Sequence, residues 1–199
     1  MYKAVLRETG EDVAVKVQRP GVEPRIMRDL FIFRAIAALV NPLARTRLGC
    51  NAALIVDEFG EKLMEELDYS LEARNIRDFY ANFKGDPAVK IPWVRQDLSG
   101  QTCLVMEWID GVRCTDPAAI HAAPTIDVQQ FIQLGVVSGM RQLLEFGLFH
   151  GDPHPGNIFA MEDGRIAYVD FGNVAQLSQF NKQVRWSRSP RWTHAGGLS

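Results

Sequence analysis

An aspartate, an asparagine five residues on and a second aspartate eighteen residues after the first constrain this chain more than any other feature. They stand in His150-Gly151-Asp152-Pro153-His154-Pro155-Gly156-Asn157 and in Asp170-Phe171-Gly172. Phosphoryl transfer asks for this set. One carboxylate aligns a hydroxyl or water, while an amide and another carboxylate hold the magnesium ions that neutralise charge building on the phosphate. Residues 157–161 and 165–169 read as short strands, and Glu162-Asp163-Gly164 between them is a turn signal. Such a hairpin brings Asn157 and Asp170 to one end of a two-stranded ribbon. A polar loop followed by an ordinary surface hairpin is the blander reading, and the residue types, the spacing and the hairpin together speak against it.

A second chemistry fits part of the same stretch. His150, Asp152 and His154 alternate, so an extended segment would point them to one side as zinc or iron ligands. Pro153 and Pro155 favour extended geometry in the residues before them. That site explains neither Asn157 nor the Asp-Phe-Gly. Cys50, Cys103 and Cys114 lack a C-x-x-C spacing, and Cys103 in its apolar run reads as a small buried hydrophobe.

A phosphate site also predicts a lysine on an early strand. In Asp12-Val-Ala-Val-Lys16-Val-Gln18, alternation puts Val13, Val15 and Val17 on one face and Ala14, Lys16 and Gln18 on the other. The preceding strand, Tyr2 to Arg7, joins it through Glu8-Thr-Gly-Glu11 as an antiparallel hairpin. A lone strand lysine is usually a solvated edge charge; after Val-Ala-Val it reads as the lysine that holds the α- and β-phosphates of ATP while paired to a helix glutamate. One long helix is expected from Asn51 to Phe83, with Phe59, Leu63, Leu67 and Leu71 as its apolar stripe. Glu58, Glu61 and Glu65 read as solvated. Composition alone does not say which glutamate reaches Lys16.

Four ordered motifs carry a resemblance: Val13-Ala-Val-Lys-Val-Gln-Arg-Pro-Gly21, Glu66-x-Asp68-Tyr69-x-x-Glu72-Ala73-x-Asn75, His150 to Asn157, and Val169-Asp-Phe-Gly-Asn173. Over Tyr2 to about Gln183 the chain resembles the UbiB family, the aarF-domain atypical protein kinases named for activity of the bc1 complex. The resemblance implies that Glu72 pairs with Lys16, that Asp152 is the catalytic-loop aspartate, and that Asn157 and Asp170 hold Mg2+. Glu66 and Asp68 match the family's E-x-D pair, which contacts an N-terminal extension. Met106 matches the gatekeeper, with the backbone of Glu107 and Trp108 at the adenine edge. Gly151 and His154 stand where common protein kinases carry arginine and lysine, as they do in small-molecule phosphotransferases; the Arg19-Pro20-Gly21 ending and the Glu66-to-Glu72 pattern favour the UbiB branch.

The fold expected is α+β, a bilobal protein-kinase-like unit incomplete at both ends. Residues 1–108 form the N-lobe, lacking the family's alanine-rich loop and K-x-G-Q extension. Residues 109–183 form a partial C-lobe, and 184–199 an unstructured or non-homologous tail. Within the N-lobe, Val89 to Val94 and Thr102 to Trp108 read as strands, and Glu23 to Val40 as an extra helix that packs on the lobe or touches a membrane surface. The main C-lobe helix runs from Thr125 or Asp127 to Gly147, with Val128, Phe131, Ile132, Gly135, Gly139, Leu143 and Phe146 inward. At 199 residues, 47% hydrophobic content and a net charge of −2, the chain can bury a sizeable core and favours no nucleic-acid partner. The resemblance implies a Mg-ATP phosphotransferase or ATPase linked to quinone and prenyl-lipid metabolism, with lipid surfaces and lipid-biosynthesis enzymes as partners. A pseudokinase-like nucleotide-binding module and an inactive truncated fragment are its rivals. Asp170 to Gln179 looks most like plastid and cyanobacterial members, pointing to a chloroplast, with mitochondrion and bacterial cytoplasm as alternatives; no targeting peptide is visible.

Overall fold

The computed structural model describes residues 1–123 and 125–177; the end of the expected C-lobe past Leu177 and the expected 184–199 tail lie outside the described residues. β1 (Tyr2–Val5) and β2 (Asp12–Val17) form the expected hairpin. β2 is the middle strand, pairing on its other edge with β4 (Cys103–Glu107), Ala14 opposite Met106 and Lys16 opposite Leu104. A central strand is covered on both faces, so Val13 and the facing Ala14 are both buried despite alternation. Leu104, Val105 and Met106 are buried, whereas Cys103 at the strand's start is only half-buried, which corrects the sequence reading.

α1 (Val22–Leu48) and α2 (Ala52–Leu67) make an antiparallel helical hairpin. α1 runs about two turns past the expected stop: Pro42 is accommodated inside it, and Thr46 Oγ1 donates to the Pro42 carbonyl. The helices touch closely at Gly60, where a Cβ would lie 3.2 Å from Leu30 Cδ1. The single helix expected over residues 51–83 is two. It breaks at Asp68, whose backbone is extended (φ −90°, ψ 94°) and whose carboxylate accepts the Ser70 N–H at 2.9 Å, starting α3 (Tyr69–Asn82). Aspartate at this position satisfies an orphan amide, a gain that continuing the helix would forfeit. The break re-aims the apolar stripe. Leu63, Leu67 and Leu71 stay partly buried, while Phe59 is exposed.

The second half is built on a hairpin. β7 (Ile158–Ala160) and β8 (Ile166–Tyr168) pair antiparallel around the expected turn, where Gly164 adopts φ 84°. β5 (Val112–Arg113) adds to β7, and β3 (Val89–Lys90) adds parallel to β8. β3 was expected in the first sheet. Only a bridge from Val94 to Met106 ties its continuation there, so this segment stitches the halves together. A short α4 (Pro117–Ala122) precedes α5 (Val128–Arg141), which starts on the expected cap, the Asp127 carboxylate accepting the Gln129 and Gln130 N–H groups.

α5 ends in a wide, π-type turn, Gln142–Phe146, before Gly147 in the left-handed region (φ 64°). That turn and two polar anchors set which face is inward. Ser138 and Gln142 are buried: Ser138 Oγ lies 2.6 Å from Tyr168 Oη, and Gln142 Oε1 accepts the His150 N–H at 3.0 Å. Phe131, Leu134 and Phe146 pack on the core and Gly135 meets Ile166, but Val128, Ile132 and Leu143 are exposed, a correction to the expected face. Gln142 thereby pins β6 (Leu148–His150), which pairs with β9 (Val174–Gln176) and leads into residues 151–157. One core joins both halves, from Ala14, Ile76 and Met106 to Ile166, Tyr168 and Phe171.

Candidate active site

Lys16 Nζ lies 2.8 and 2.9 Å from the two carboxylate oxygens of Glu72, across fifty-six residues of sequence. It also sits 3.7 Å from Asp170 Oδ2 and over the Tyr69 ring, 5.2 Å from its centroid. Alternation on β2 aims Lys16 at α3, and Glu72 in the first turn of α3 meets it. The Glu72 side chain is 4% exposed and that of Lys16 22%. Burial opposes the charge on Lys16, but the Glu72 and Asp170 carboxylates outweigh it and hold the lysine pKa above its ordinary value. Burial pushes Glu72 up, with Lys16 pulling against it. Lys16 therefore keeps its ammonium charge, fixed in place by Glu72 at the wall of the cavity both residues line.

The segment expected to form the catalytic loop leaves β6 at His150, which is buried, while Asp152 and His154 are exposed. The three do not share a face. His150 Nδ1 accepts the Asp152 N–H at 3.1 Å, so its proton sits on Nε2, which makes no hydrogen bond of good geometry; the Asp170 backbone is the group placed to take it. Burial lowers the His150 pKa and keeps the ring neutral. Among the described residues no group of three or more His, Cys, Asp or Glu is placed to hold a metal ion, so the zinc or iron reading fails here. His154 folds back instead, its Nδ1 accepting the Gly156 N–H at 3.0 Å.

Asn157 and Asp170 come together as the hairpin requires. The Val169 N–H donates to the Asn157 carbonyl at 3.1 Å, just beyond the Ile158–Tyr168 pair. Asn157 Nδ2 donates to the Asp152 carbonyl at 3.3 Å, leaving its amide oxygen as the atom free for a cation. Asp170 Oδ1 takes the Gly172 N–H at 3.1 Å, and Oδ2 faces Lys16. An amide oxygen and a carboxylate are hard oxygen donors, the kind magnesium takes together with phosphate oxygens. Residues Lys16, Glu66, Tyr69, Glu72, Asp152 and Asp170 line one cavity of about 220 Å³. Glu66 is exposed at its rim, whereas Asp68, the other half of the expected E-x-D pair, is engaged as the α3 cap.

A second cavity, of about 420 Å³, adjoins the first through Asn157 and Asp170 and is lined by Ala14, Met106, Glu107 and Trp108. Met106 is buried against Ala14 on the neighbouring strand. The N–H groups of Glu107 and Trp108 are already taken, by the carbonyls of Trp93 (2.9 Å) and Asp12 (3.2 Å). Of the expected adenine-edge backbone, only carbonyl oxygens of this pair remain. Lys90 fixes the Glu107 side chain at 2.6 Å. Asn173, a motif position without an assigned role in the sequence, acquires one here. Its carbonyl accepts the Gly151 N–H at 2.8 Å, and a Cβ on Gly151 would fall 2.5 Å from Asn173 Oδ1, so a glycine before Asp152 lets the two loops lie together.

Residues 1–187 match the ABC1 atypical kinase-like domain. Over 184 residues the chain is 69% identical to Protein ACTIVITY OF BC1 COMPLEX KINASE 1, chloroplastic, of Arabidopsis thaliana, covering 92% of this chain and 27% of that protein. It is 49% identical over 184 residues to an uncharacterized protein of Synechocystis, covering 92% and 32%. The chain thus spans a third or less of the length of these curated relatives. Among solved structures, the Rv3197–erythromycin complex from Mycobacterium tuberculosis matches at 33% identity with a TM-score of 0.69, over 87% of this chain and 42% of that one. The architecture is that of a bilobal kinase-like fold, mixed in helix and strand.

The buried pair makes a signed prediction. A carboxyl whose folded pKa exceeds its unfolded value stabilises the fold most in acid, and that contribution is lost as pH rises through the folded pKa. Lys16→Met removes the cation that holds Glu72 down, so the variant is expected to lose roughly 3 kcal/mol at neutral pH. The deficit should shrink toward about pH 4, where carboxyls protonate, and Glu72→Gln in the same chain should recover most of it. Urea denaturation across pH checks this; a pH-independent deficit contradicts it.

Proposed function

The chain belongs to the ABC1 atypical kinase-like family, and from that premise we propose that it binds Mg-ATP between its two halves and acts as a phosphotransferase or ATPase of the UbiB type. The observation that carries this reading is the convergence of Lys16, Glu72, Asn157 and Asp170 on one cavity that continues into the pocket under Met106. The adenine would lie between Ala14, Met106 and the 107–108 backbone. Lys16 would meet the α- and β-phosphates with its charge held by Glu72. Bound magnesium supplies neutralisation of charge on the phosphate oxygens, and Asn157 and Asp170 are the residues that would hold it.

Asp152 is half-exposed and faces the cavity, the position of a group that orients an acceptor hydroxyl or water. Its backbone N–H is fixed by His150 and its carbonyl by Asn157, so the loop is tied on both sides of the carboxylate. The acceptor is not named by these contacts. The rival reading, a nucleotide-binding module without transfer, draws support from Asp152 itself: among the described residues its carboxylate has only His154, at 3.8 Å, as an ionic partner. Asp152→Asn separates the two. Mg-ATP is expected to raise the melting temperature of the chain and of Asp152→Asn, but not of Asp170→Asn. Turnover should fall by about 10²–10⁴ in Asp152→Asn. Thermal shift and phosphate release measure both; no shift in the wild-type chain sinks the nucleotide reading, and undiminished turnover in Asp152→Asn sinks the transfer mechanism.

Lipid surfaces are the partner this reading favours, in keeping with quinone and prenyl-lipid metabolism, and a plastid is the compartment favoured by the chloroplastic relative. Support comes from α1. Ile32, Ile36, Leu39 and Leu43 recur every three or four residues on its exposed side, and Arg25, Arg28, Arg45 and Arg47 stand at the two ends. No helix among the described residues is long and apolar enough to cross a membrane, so the contact proposed is with a surface. Cosedimentation with vesicles containing anionic lipid should retain the chain, fall with salt, and be lost in Ile36→Glu/Leu39→Glu. Equal retention of that variant contradicts the assignment.

A further inference from the structure

Residues 170–172 are gripped from α3 by a contact that the site as described leaves unused. Asn75 Nδ2 donates to the Phe171 carbonyl at 2.9 Å, over a separation of ninety-six residues. A carbonyl can only accept, so this bond fixes which end of the Asn75 amide faces it. Asn75 stands three residues after Glu72, one turn along the same face of α3. The other side of the Phe171 residue is also held: its backbone N–H stabilises the charged form of the Glu72 carboxylate. Asn75 thus holds the backbone of this residue, and Glu72, one helical turn away, lies on the same side of it.

That residue is the hinge between Asp170 and Gly172. The Phe171 ring is fully buried, 4.9 Å from the Phe79 ring of the same helix and 5.5 Å from His150. The ring could keep its socket while the peptide turned about it, and such a turn would swing the Asp170 carboxylate away from Lys16. The backbone clasp removes that freedom. We propose that Asn75 is a positioning residue that locks the Phe171 peptide to α3, so that Lys16, Glu72 and Asp170 can be brought into register only together. It is not among the residues lining either cavity and acts through Phe171. The consequence for metal use rests on the Mg-ATP reading above; the clasp itself does not.

Two measurements on the whole chain keep these apart. Asn75→Leu keeps the branched heavy-atom shape and loses the donor, and Asn75→Asp keeps the shape while setting an acceptor against the carbonyl. Without nucleotide, hydrogen exchange over residues 170–173 is expected to rise about tenfold in both, the local opening released by one lost hydrogen bond, with β4 (Cys103–Glu107) unchanged. Equal rises in both segments mean general destabilisation and overturn the proposal, as does no rise over 170–173. With nucleotide, ATP affinity in EDTA should stay within about twofold of the parent, while the gain on adding Mg2+ should fall about tenfold. An unchanged magnesium gain in variants whose 170–173 segment has opened also overturns it. A parent chain that binds no ATP in either condition refutes the function proposed above and leaves hydrogen exchange alone to decide the clasp.

Discussion

A lysine ammonium held against a nearly fully buried glutamate, between a strand and a helix fifty-six residues apart, is the interaction on which the rest of this molecule depends. Neither partner is well placed without the other. Glu72 alone in its apolar setting would take up a proton, and Lys16 alone would have no reason to leave water. Together they fix α3 to the three-stranded sheet. The same helix then reaches the Asp-Phe-Gly segment through Asn75 and through ring packing between Phe79 and Phe171. The cavity lined by Lys16, Glu72, Asp152 and Asp170 is the space that these ties leave open.

The second half is organised around a different constraint, satisfaction of buried polar groups. α5 turns Ser138 and Gln142 into the core because Tyr168 and the His150 amide need partners there. The π-type turn carries the helix on from Gln142 to Gly147. From that anchor the chain runs into a loop whose backbone is tied at Gly151 by Asn173 and at Asp152 by His150. Asp152 keeps an exposed carboxylate on a rigid support, as an acceptor-orienting group requires.

What was legible in the sequence was local. Alternation around Lys16, the turn at Gly164 and the cap at Asp127 each express a preference settled within a few residues, and the structure places these elements as expected. Errors fell where distant groups decide. Asp68 breaks a helix that periodicity alone carries through, although its capping preference was a readable signal. β3 leaves the first sheet for β8, a pairing set by the second half's need for a covered edge. Asn75 and Asn173 stood in view as motif positions without an assigned role, and Gln142 as an ordinary polar residue. Their roles come from carbonyls and amides brought to them by the fold, which no spacing rule along the chain encodes.

The proposed function requires that the phosphates of a nucleotide meet Lys16 and no other lysine among the described residues. An acyl-phosphate derivative of ATP places an electrophile beside whichever amine lies at the phosphates, and peptide mapping then reads the acylated residue. Labelling confined to Lys16, suppressed by excess Mg-ATP and lost when Glu72 is changed to Gln, is the expected result. Labelling centred on Lys90 or Lys3, or labelling of Lys16 that Mg-ATP leaves untouched, would contradict the account.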